Sequence, residues 1–402
     1  MSKDADTQDL PLFPFTRDRQ LDLPEPYEHV KGGCPMPVRL WNDQRAWLVG
    51  RYADFCSVLV DDRFSGEFAR EDFPSITQAR RAIDKAERSF VGMDNPRHDM
   101  FRRMLTKEFT AKRMLALKPQ IQSITDDLLD QMERHGPPCD LVAMLAVEMP
   151  ALVMCALFGS PYEDHHTIAR YAAGRHGLTQ SPQQAAQSAA DLVQYCRELI
   201  ARKEAQPADD MISRVIAEWV VPGHLSREDF ADMCSMVLRA GHDTTTNMIG
   251  LGTLTLLRHP EQLQRLMAQP ELIDGAVDEL LRYLSPVQFA PRRVALQDVE
   301  MDGCRVAAGD GVFTVNAAAN RDPAEFPDPD RLDLGRDASA HVAFGYGIHR
   351  CLGQGLARLE LQAVFPSLFR RFPGLHLAEP FEQIAFKYDS QIYGLHRLMV
   401  GW

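Results

Sequence analysis

Apolar residues recur every three or four positions along several long stretches of the chain, and this spacing predicts amphipathic α-helices. Residues 52–61 and 115–206 show the pattern most clearly, with breaks at glycine-proline and serine-proline steps. Shorter segments at residues 47–49 and 299–315 are bounded by turn residues and predict β-strands. The predicted fold class is therefore mainly α with small β-sheets.

The longest helical pattern follows Ser226 and ends before Pro260. Ser226 is the predicted N-cap, with Asp229 three residues later as in a capping box. The residue before a proline is disfavoured in a helix, so His259 marks the predicted end. About thirty-two residues at ~1.5 Å each make a rod of roughly 48 Å. Such a helix is long enough to cross the molecule and is predicted to be its central scaffold.

Charge and cysteine content narrow the possible partners and the compartment. The 402 residues carry a net charge of −12, which disfavours nucleic acid and anionic membrane as partners. The eight cysteines form no C-x-x-C pair, so neither a zinc site nor a disulfide framework is indicated. Residues 1–21 contain no apolar run long enough for a signal peptide or membrane span. A cytoplasmic protein is predicted.

Candidate chemistry is concentrated in a glycine-rich loop at residues 341–353, which leads into another helical pattern. Cys351 lies at the predicted helix N-terminus, where the helix dipole and free N–H groups favour a thiolate. Gly345 and Gly347 allow turns that other residues resist. The alternative is that Cys351 is a small buried hydrophobe. No packing requirement explains the whole loop, so a thiolate ligand is favoured.

Residues 344–353 read phenylalanine-glycine-x-glycine-x-histidine-x-cysteine-leucine-glycine and resemble the haem-binding loop of the cytochrome P450 family. The resemblance extends over residues 35–402, with motifs in matching order and spacing. It implies the P450 fold, with the long central helix over the haem. It also implies one domain at residues 35–402, preceded by an irregular, proline-rich arm at residues 1–34.

The resemblance implies that Cys351 is the metal ligand, on the iron of haem b (iron protoporphyrin IX). The loop residues expected to contact the cofactor are Phe344, Gly345, His349 and Gly353, with Phe344 shielding the thiolate from water. Thiolate ligation favours cleavage of the O–O bond. The loop therefore predicts oxygen chemistry.

Ala240-Gly241-His242-Asp243-Thr244, midway along the long helix, resembles the oxygen-activation motif of the same family. Ala240 and Thr244 are four residues apart and share a helix face. A threonine hydroxyl that bonds a preceding carbonyl can bend the helix and make room. The resemblance implies that Ala240 and Gly241 contact the haem and that Asp243 and Thr244 relay protons. The alternative is a polar patch inside an ordinary core.

Basic residues elsewhere match positions that hold the haem propionates. His98 and Arg102 lie four apart on one predicted helix face, and Arg293 precedes a strand-like segment. For the nearby cations Arg103 and Lys107, an equal alternative to cofactor binding is that they form a basic helix face exposed to solvent. All three matching residues are predicted to bind the cofactor.

Glu279 and Arg282 match the glutamate-x-x-arginine pair of the family. At this spacing the two side chains can pair on one helix face. Arg331, in the proline-rich segment at residues 323–332, is expected to join them. These residues are predicted to support the haem pocket rather than to react.

Several residues match positions that line the substrate cavity of the family: Met236, Arg239, Gln288, Phe289, Gln391 and Ile392. Arg239 stands where the family usually has an aliphatic residue. An unpaired buried arginine is costly, so it is expected to pair with an acidic side chain or to contact an anionic substrate group. Residues 164–204 are expected to form a mobile lid.

The predicted function is a monooxygenase that inserts one oxygen atom from O2 into a small apolar or amphipathic substrate. No reductase module follows the haem loop, so a ferredoxin and ferredoxin reductase or their equivalents are expected to supply electrons to a monomeric enzyme. A docking face for an acidic donor is predicted from one set of cations: Arg102, Arg103, Lys107, Lys112, Arg113, Arg350 and Arg358.

Two other functions remain open from the sequence. Residues 11–15 and much of the N-terminal half are also similar to the fungal nitric oxide reductases, which take electrons directly from a nicotinamide cofactor. That branch lacks the acid before the threonine, and Asp243 therefore favours the monooxygenase. A haem sensor or carrier without enzymatic activity would need neither Asp243 nor Thr244.

Overall fold

Helices form most of the chain in the computed structural model, which describes residues 7–17, 19–172, 182–388 and 390–402. The α-helices are α1 Glu25–Val30, α2 Tyr52–Val60, α3 Gln78–Ala86, α4 Arg97–Thr106, α5 Ala111–His135, α6 Glu148–Phe158, α7 His165–Ala172, α8 Pro182–Ala205, α9 Met211–Val215, α10 Arg227–Arg258, α11 Pro260–Ala268, α12 Ile273–Leu284, α13 Asn316–Ala319 and α14 Gln354–Arg371. The strands are β1 Met36–Arg39, β2 Arg45–Val49, β3 Phe64–Ser65, β4 Cys139–Asp140, β5 Arg292–Ala295, β6 Val299–Met301, β7 Cys304–Val306, β8 Gly311–Thr314, β9 His376–Leu377 and β10 Met399–Gly401. The predicted fold class, mainly α with small β-sheets, is confirmed.

The apolar periodicity identifies the buried faces of the helices. In α2 the buried residues are Phe55, Val58 and Leu59, one face of the predicted helix. The much longer α5 buries Ile121, Ile124, Leu128, Leu129 and Met132 in the same way. Each helix covers its apolar stripe by packing against a neighbour, as α5 does on α6 and α14.

The central helix α10 has the predicted length and ends. The Ser226 hydroxyl oxygen accepts a hydrogen bond from the Asp229 backbone N–H at 3.0 Å, which caps the first turn. Its 32 residues end at Arg258, immediately before His259 and Pro260. The helix packs against α6, α8 and α14, and most of its side chains are buried. It therefore forms the core to which the other helices attach.

A five-stranded sheet lies beside the helices, with strand order β1-β2-β8-β5-β3. Strands β1 and β2 form the hairpin predicted around residues 47–49, and β2 pairs in parallel with β8. Strand β5 pairs antiparallel with β8 and carries Arg293. Two smaller sheets, β4-β10-β9 and β6-β7, complete the β-structure of the described residues.

The N-terminal arm packs tightly on this sheet. Leu12 bridges to Arg39 in β1, and the ring of Phe13 lies 4.9 Å from the rings of Phe289 and of Phe313. Helix α1 lies in the same region. The arm therefore covers one end of the sheet and shares a small aromatic core with it.

The predicted lid falls on α7 and α8 and on the residues between them. Residues 173–181 of that segment lie outside the described residues, so the expectation of a mobile lid stays a prediction. None of the helices in the described ranges combines the length and the apolar character that a membrane span requires.

Candidate active site

The loop before Cys351 is closed by two tight turns and one backbone hydrogen bond. Gly345 and Gly347 adopt φ values of +73° and +70°, a region that favours glycine. A side chain at Gly347 would also lie 3.0 Å from the Leu59 carbonyl oxygen. The Cys351 backbone N–H donates to the Phe344 carbonyl at 2.8 Å. The glycines thus allow the loop to fold back against α2.

Cys351 is accessible at its surface although protein surrounds it on most sides. Burial by these surroundings raises the pKa of its thiol. A hydrogen bond from the Gly353 N–H and three nearby guanidinium groups, of Arg102, Arg358 and Arg350, act in the opposite direction. These groups stabilise the thiolate form, which is the form that binds metals.

The loop residues next to the thiol leave room for a flat ligand. A side chain added at Gly353 would meet no protein atom within 4 Å. Phe344 is half-buried, and the guanidinium of Arg358 lies 4.7 Å from the centre of its ring. Arg358 also pairs with Asp278 at 2.7 Å, which fixes the guanidinium over the ring. Phe344 therefore has a fixed position in the loop, and its expected shielding of the sulfur stays a prediction.

One face of α10 opens onto internal space at the oxygen-activation motif. Ala240 is exposed and Thr244 is partly exposed, although almost every other residue in this part of the helix is buried. The Thr244 hydroxyl donates to the Ala240 carbonyl at 2.8 Å, as the sequence predicts. The helix itself continues without a break from Arg227 to Arg258. The open face therefore does not depend on a break in the helix.

Gly241 lies beside α6, and its expected contact with the cofactor stays a prediction. A side chain at this position would lie 2.8 Å from the Met154 sulfur. Gly241 thus faces α6, and its role in the structure is to let α10 and α6 approach closely.

Asp243 belongs to a polar network that extends to the C-terminal part of the chain. The Asn247 side-chain amide donates to the Asp243 backbone carbonyl at 2.8 Å and to its carboxylate at 3.3 Å. The Lys387 ammonium donates to the Asn247 side-chain oxygen at 2.9 Å. Burial raises the pKa of Asp243, and Lys387 and Asn247 partly oppose this. The raised pKa brings this carboxyl closer to the range in which a side chain exchanges protons during a reaction.

The sequence expectations missed Asn247 and Lys387. Asn247 lies four residues after Asp243 on the same helix face, and this spacing was a usable signal. Lys387 is 140 residues further along the chain, and no local pattern places it beside α10.

His242, between Gly241 and Asp243, is buried, and its burial makes the stability of the fold depend on pH. Burial lowers the pKa of His242 to about 4, and its Nε2 lies 3.1 Å from the Val147 carbonyl oxygen. The folded state therefore keeps this ring neutral where the unfolded chain would protonate it. Its contribution to stability is complete above about pH 6.5 and is lost as the pH falls towards 4, by up to about 3 kcal/mol.

Replacing His242 with asparagine should therefore make the free energy of unfolding less dependent on pH. Urea unfolding at pH 7.5 and pH 5 measures this difference for His242→Asn and for the unmodified protein. Equal pH dependences would contradict the assignment.

Four donor side chains converge near the loop: His98, Arg102, Arg293 and His349. The rings of His98 and His349 lie 4.2 Å apart, and the buried Nε2 of His98 has no hydrogen-bond partner. Burial lowers the pKa of Arg293 to about 10. Burial, followed by the charges of Arg293, His98 and Arg102, lowers the pKa of His349 to about 2. A buried group of donors with an orphaned nitrogen fits a bound dianion such as the two haem propionates.

Comparison with known proteins decides the family. A family model described as Cytochrome P450 matches residues 175–379. Cytochrome P450-SU2 of Streptomyces griseolus is 44% identical over 363 residues, which cover 90% of this chain and 89% of the relative. Pentalenic acid synthase of Streptomyces avermitilis is 41% identical over 97% of each chain. The chain belongs to the cytochrome P450 family.

A solved structure of the P450 GfsF supports the same conclusion for the fold. It superposes with a TM-score of 0.91 at 39% identity and covers 98% of this chain and 100% of its own. The enzyme is therefore a haem monooxygenase, and haem is its cofactor. Relatives named for hydroxylation, such as the vitamin D3 dihydroxylase of Streptomyces griseolus, favour this activity over nitric oxide reduction.

The pair expected to support the haem pocket is fully buried and has a different third member. Arg282 donates to Glu279 through two nitrogens, at 2.6 and 2.9 Å. The arginine that joins them is Arg336, at 3.2 Å from Glu279. Arg331 is instead exposed and pairs with Asp333 at 3.0 Å. The expectation for Arg331 was therefore wrong, because the chain turns so that the arginine five residues later points inwards.

The residues predicted to line the substrate cavity separate into two groups. Met236 and Arg239 lie on α10, and Ile392 bridges to Val287 beside Gln391. Gln288 and Phe289 directly follow Val287, but their side chains contact the N-terminal arm. The Gln288 side-chain oxygen accepts from Arg17 at 2.8 Å, and the Phe289 ring packs on Phe13 of the arm. These two predicted positions are turned towards the arm because it supplies a cation and an aromatic ring as partners.

Arg239 pairs with an acidic side chain, which is one of the two options that the sequence left open. Its guanidinium lies 2.9 Å from the Glu87 carboxylate, and the two side chains are only 12% and 9% exposed. The pair borders a cavity of about 290 Å³ between α3, α8 and α10. A buried cation with a carboxylate partner already holds a compensating charge. The structure thus favours pairing within the protein over contact with an anionic substrate.

We expect Glu87→Gln to lower the free energy of unfolding by about 1–3 kcal/mol, because the guanidinium of Arg239 loses its charged partner. Adding Arg239→Leu to that variant should restore part of the loss. The single variant Arg239→Leu should change the affinities for a carboxylate ligand and its neutral analogue to the same degree. Weaker binding of the carboxylate alone would show that Arg239 contacts substrate.

Proposed function

We propose that Cys351 would bind the haem iron in a monooxygenase that oxidises a small apolar or amphipathic substrate. A haem held by a thiolate would supply the electron density that favours cleavage of an O–O bond. The proposal is supported by an exposed thiol within the protein, a hydrogen bond to it from Gly353, and the open face of α10 at Ala240. The open face is the main support for the proposal, because a helix in an ordinary core buries the residues at its middle, whereas α10 exposes Ala240 there.

In this proposal each polar group near the cofactor has one task. The donors His98, Arg102, Arg293 and His349 hold the propionates. Thr244 has its hydroxyl on the open face of α10, where it can pass a proton towards the substrate side. The Asn247 amide and Lys387 hold the Asp243 carboxyl in place, and that carboxyl can exchange a proton. In this proposal, proton exchange takes place on the α10 side of the cofactor.

The relatives set the expected range of substrates. They include a pentalenic acid synthase, a vitamin D3 dihydroxylase and a hydroxylase whose solved structure contains mycinamicin VIII. We infer a substrate of similar character for this enzyme, with a mainly apolar body and few polar groups. A cytoplasmic location fits the eight cysteines, all of which are free.

The experiment that tests the activity uses labelled oxygen. A substrate found by screening ligands for a shift of the haem spectrum is oxidised under ¹⁸O2 with a ferredoxin, its reductase and a nicotinamide cofactor. The product should carry one ¹⁸O atom. The contradicting result is product oxygen from water alone, or rapid reduction of the nitric oxide complex by the nicotinamide cofactor without any other protein.

The electron donor is proposed to dock on the face that carries Arg103 and Lys112. Other members of the predicted cationic cluster are already engaged: Lys107 pairs with Glu218, Arg113 with Glu108 and Arg358 with Asp278. Among the described residues, Arg103 and Lys112 have no carboxylate within ion-pair distance and are exposed. Unpaired surface cations attract an acidic partner more strongly than paired ones.

The double variant Arg103→Glu/Lys112→Glu should raise the ferredoxin concentration needed for half-maximal turnover by about tenfold or more and should reduce its salt dependence. Arg134→Glu is the matched control, since Arg134 is exposed at the opposite end of the same helix α5. Equal kinetics for the double variant and the control would exclude this docking face.

A further inference from the structure

Three side chains of the kinds that bind metal ions lie close together on the surface, outside the active site. Glu148 is in the first turn of α6, and His165 and His166 begin α7. One ligand atom from each residue lies within 4.8 Å of the other two. The His165 Nε2 is 3.0 Å from one carboxylate oxygen of Glu148, and the His166 Nδ1 is 3.9 Å from the other.

The ring of His165 is oriented by a backbone contact, and its second nitrogen faces Glu148. The His165 Nδ1 contacts the backbone carbonyl of Tyr162, which can only accept a hydrogen bond, so Nδ1 carries a proton. The Nε2 of the same ring points at the Glu148 carboxylate, 3.0 Å away. A histidine whose other nitrogen is held by a backbone carbonyl is also the usual arrangement of a metal ligand.

The surroundings allow an ion to enter and complete its coordination. The side chain of His166 is 75% exposed, so its ring can rotate towards the other two ligands without disturbing the core. Glu148 and His165 are about four-fifths buried, which keeps them in place. Metal–ligand bonds of ~2.0–2.2 Å require only small shifts of the three ligand atoms. Water can fill the remaining positions from the open side.

We propose that Glu148, His165 and His166 form a binding site for a divalent transition-metal ion of the zinc class. Two imidazole nitrogens and one carboxylate oxygen suit zinc, nickel, cobalt or copper, whereas magnesium and calcium prefer oxygen ligands alone. The bound ion links the start of α7 to the start of α6. Because the unfolded chain lacks this arrangement, the ion stabilises the folded enzyme.

The test is a titration of the haem-loaded enzyme with zinc chloride, read by calorimetry and by metal analysis after equilibrium dialysis. One ion should bind per chain at this site and raise the midpoint of thermal unfolding. His166→Ala and Glu148→Gln should each weaken that binding at least about tenfold. His135→Ala is the matched control, since His135 is also exposed but lies at the end of α5. Millimolar magnesium should not compete.

His166→Ala keeps the proposal falsifiable, since an exposed side chain can be removed without loss of the fold. Unchanged zinc binding in both variants would place any bound zinc elsewhere and overturn the proposal. The absence of saturable zinc binding to the unmodified enzyme would overturn it as well.

Discussion

Replacing Cys351 with histidine is expected to change the absorption of the reduced carbon monoxide adduct from the thiolate type to the imidazole type and to abolish substrate oxidation. An imidazole is neutral and donates less electron density to iron than a thiolate does. The Gly353 N–H, which bonds to the Cys351 sulfur, would also lose its acceptor. The spectrum and the rate of product formation, measured on the same preparation, check both parts of this prediction.

The matched control is Cys34→Ser, because Cys34 is also an exposed cysteine but lies in the N-terminal region away from the haem loop. Its spectrum and activity should equal those of the unmodified enzyme. Retention of the thiolate-type spectrum in Cys351→His would mean that another cysteine binds the iron, and the assignment of the site would fail.

Replacing Thr244 with alanine should lower the amount of product formed per electron pair, by up to about 100-fold, while oxygen consumption continues. The reason is that Thr244 holds the hydroxyl on the open face of α10, and its loss interrupts proton delivery. Asp243→Asn should have an effect of similar size, because an amide occupies the same space but cannot exchange a proton. The ratio of product to oxygen consumed measures both variants.

Thr246→Ala is the matched control for the threonine variant. The Thr246 hydroxyl donates to the His242 carbonyl at 2.9 Å, the same bond that Thr244 makes to Ala240, but Thr246 is buried on another face of α10. The control should keep its ratio of product to oxygen. Equal losses in both threonine variants would point to a general weakening of the helix instead of proton delivery.

Features that depend on neighbouring residues were predictable from the sequence. The length of α10 followed from the cap at Ser226, the stop at Pro260 and the apolar periodicity between them. The bond from Thr244 to the Ala240 carbonyl followed from a spacing of four residues. The turns at Gly345 and Gly347 followed from glycines that precede the cysteine. In each case a contact within a few residues decides the conformation.

Contacts between distant segments were not predictable in the same way. Gln288 and Phe289 turn towards an arm more than 270 residues earlier in the chain, which offers Arg17 and Phe13. Lys387 reaches Asn247 across 140 residues. The neighbouring sequence does not show which way a buried side chain points, because the residue that it contacts lies far away along the chain.

Arg239 shows the intermediate case. Its presence in the apolar centre of α10 indicated that a partner was needed, since an unpaired buried charge is costly. The sequence could not identify Glu87, because that residue follows α3 and its position depends on how α3 packs against α8 and α10. The sequence therefore predicted the requirement but not the residue that meets it.

The most direct test of the whole account is X-ray absorption at the iron edge of the unmodified, haem-loaded ferric enzyme. We predict one sulfur atom among the atoms bound to iron, and its loss in Cys351→His. A coordination sphere of nitrogen and oxygen alone in the unmodified enzyme would contradict the account.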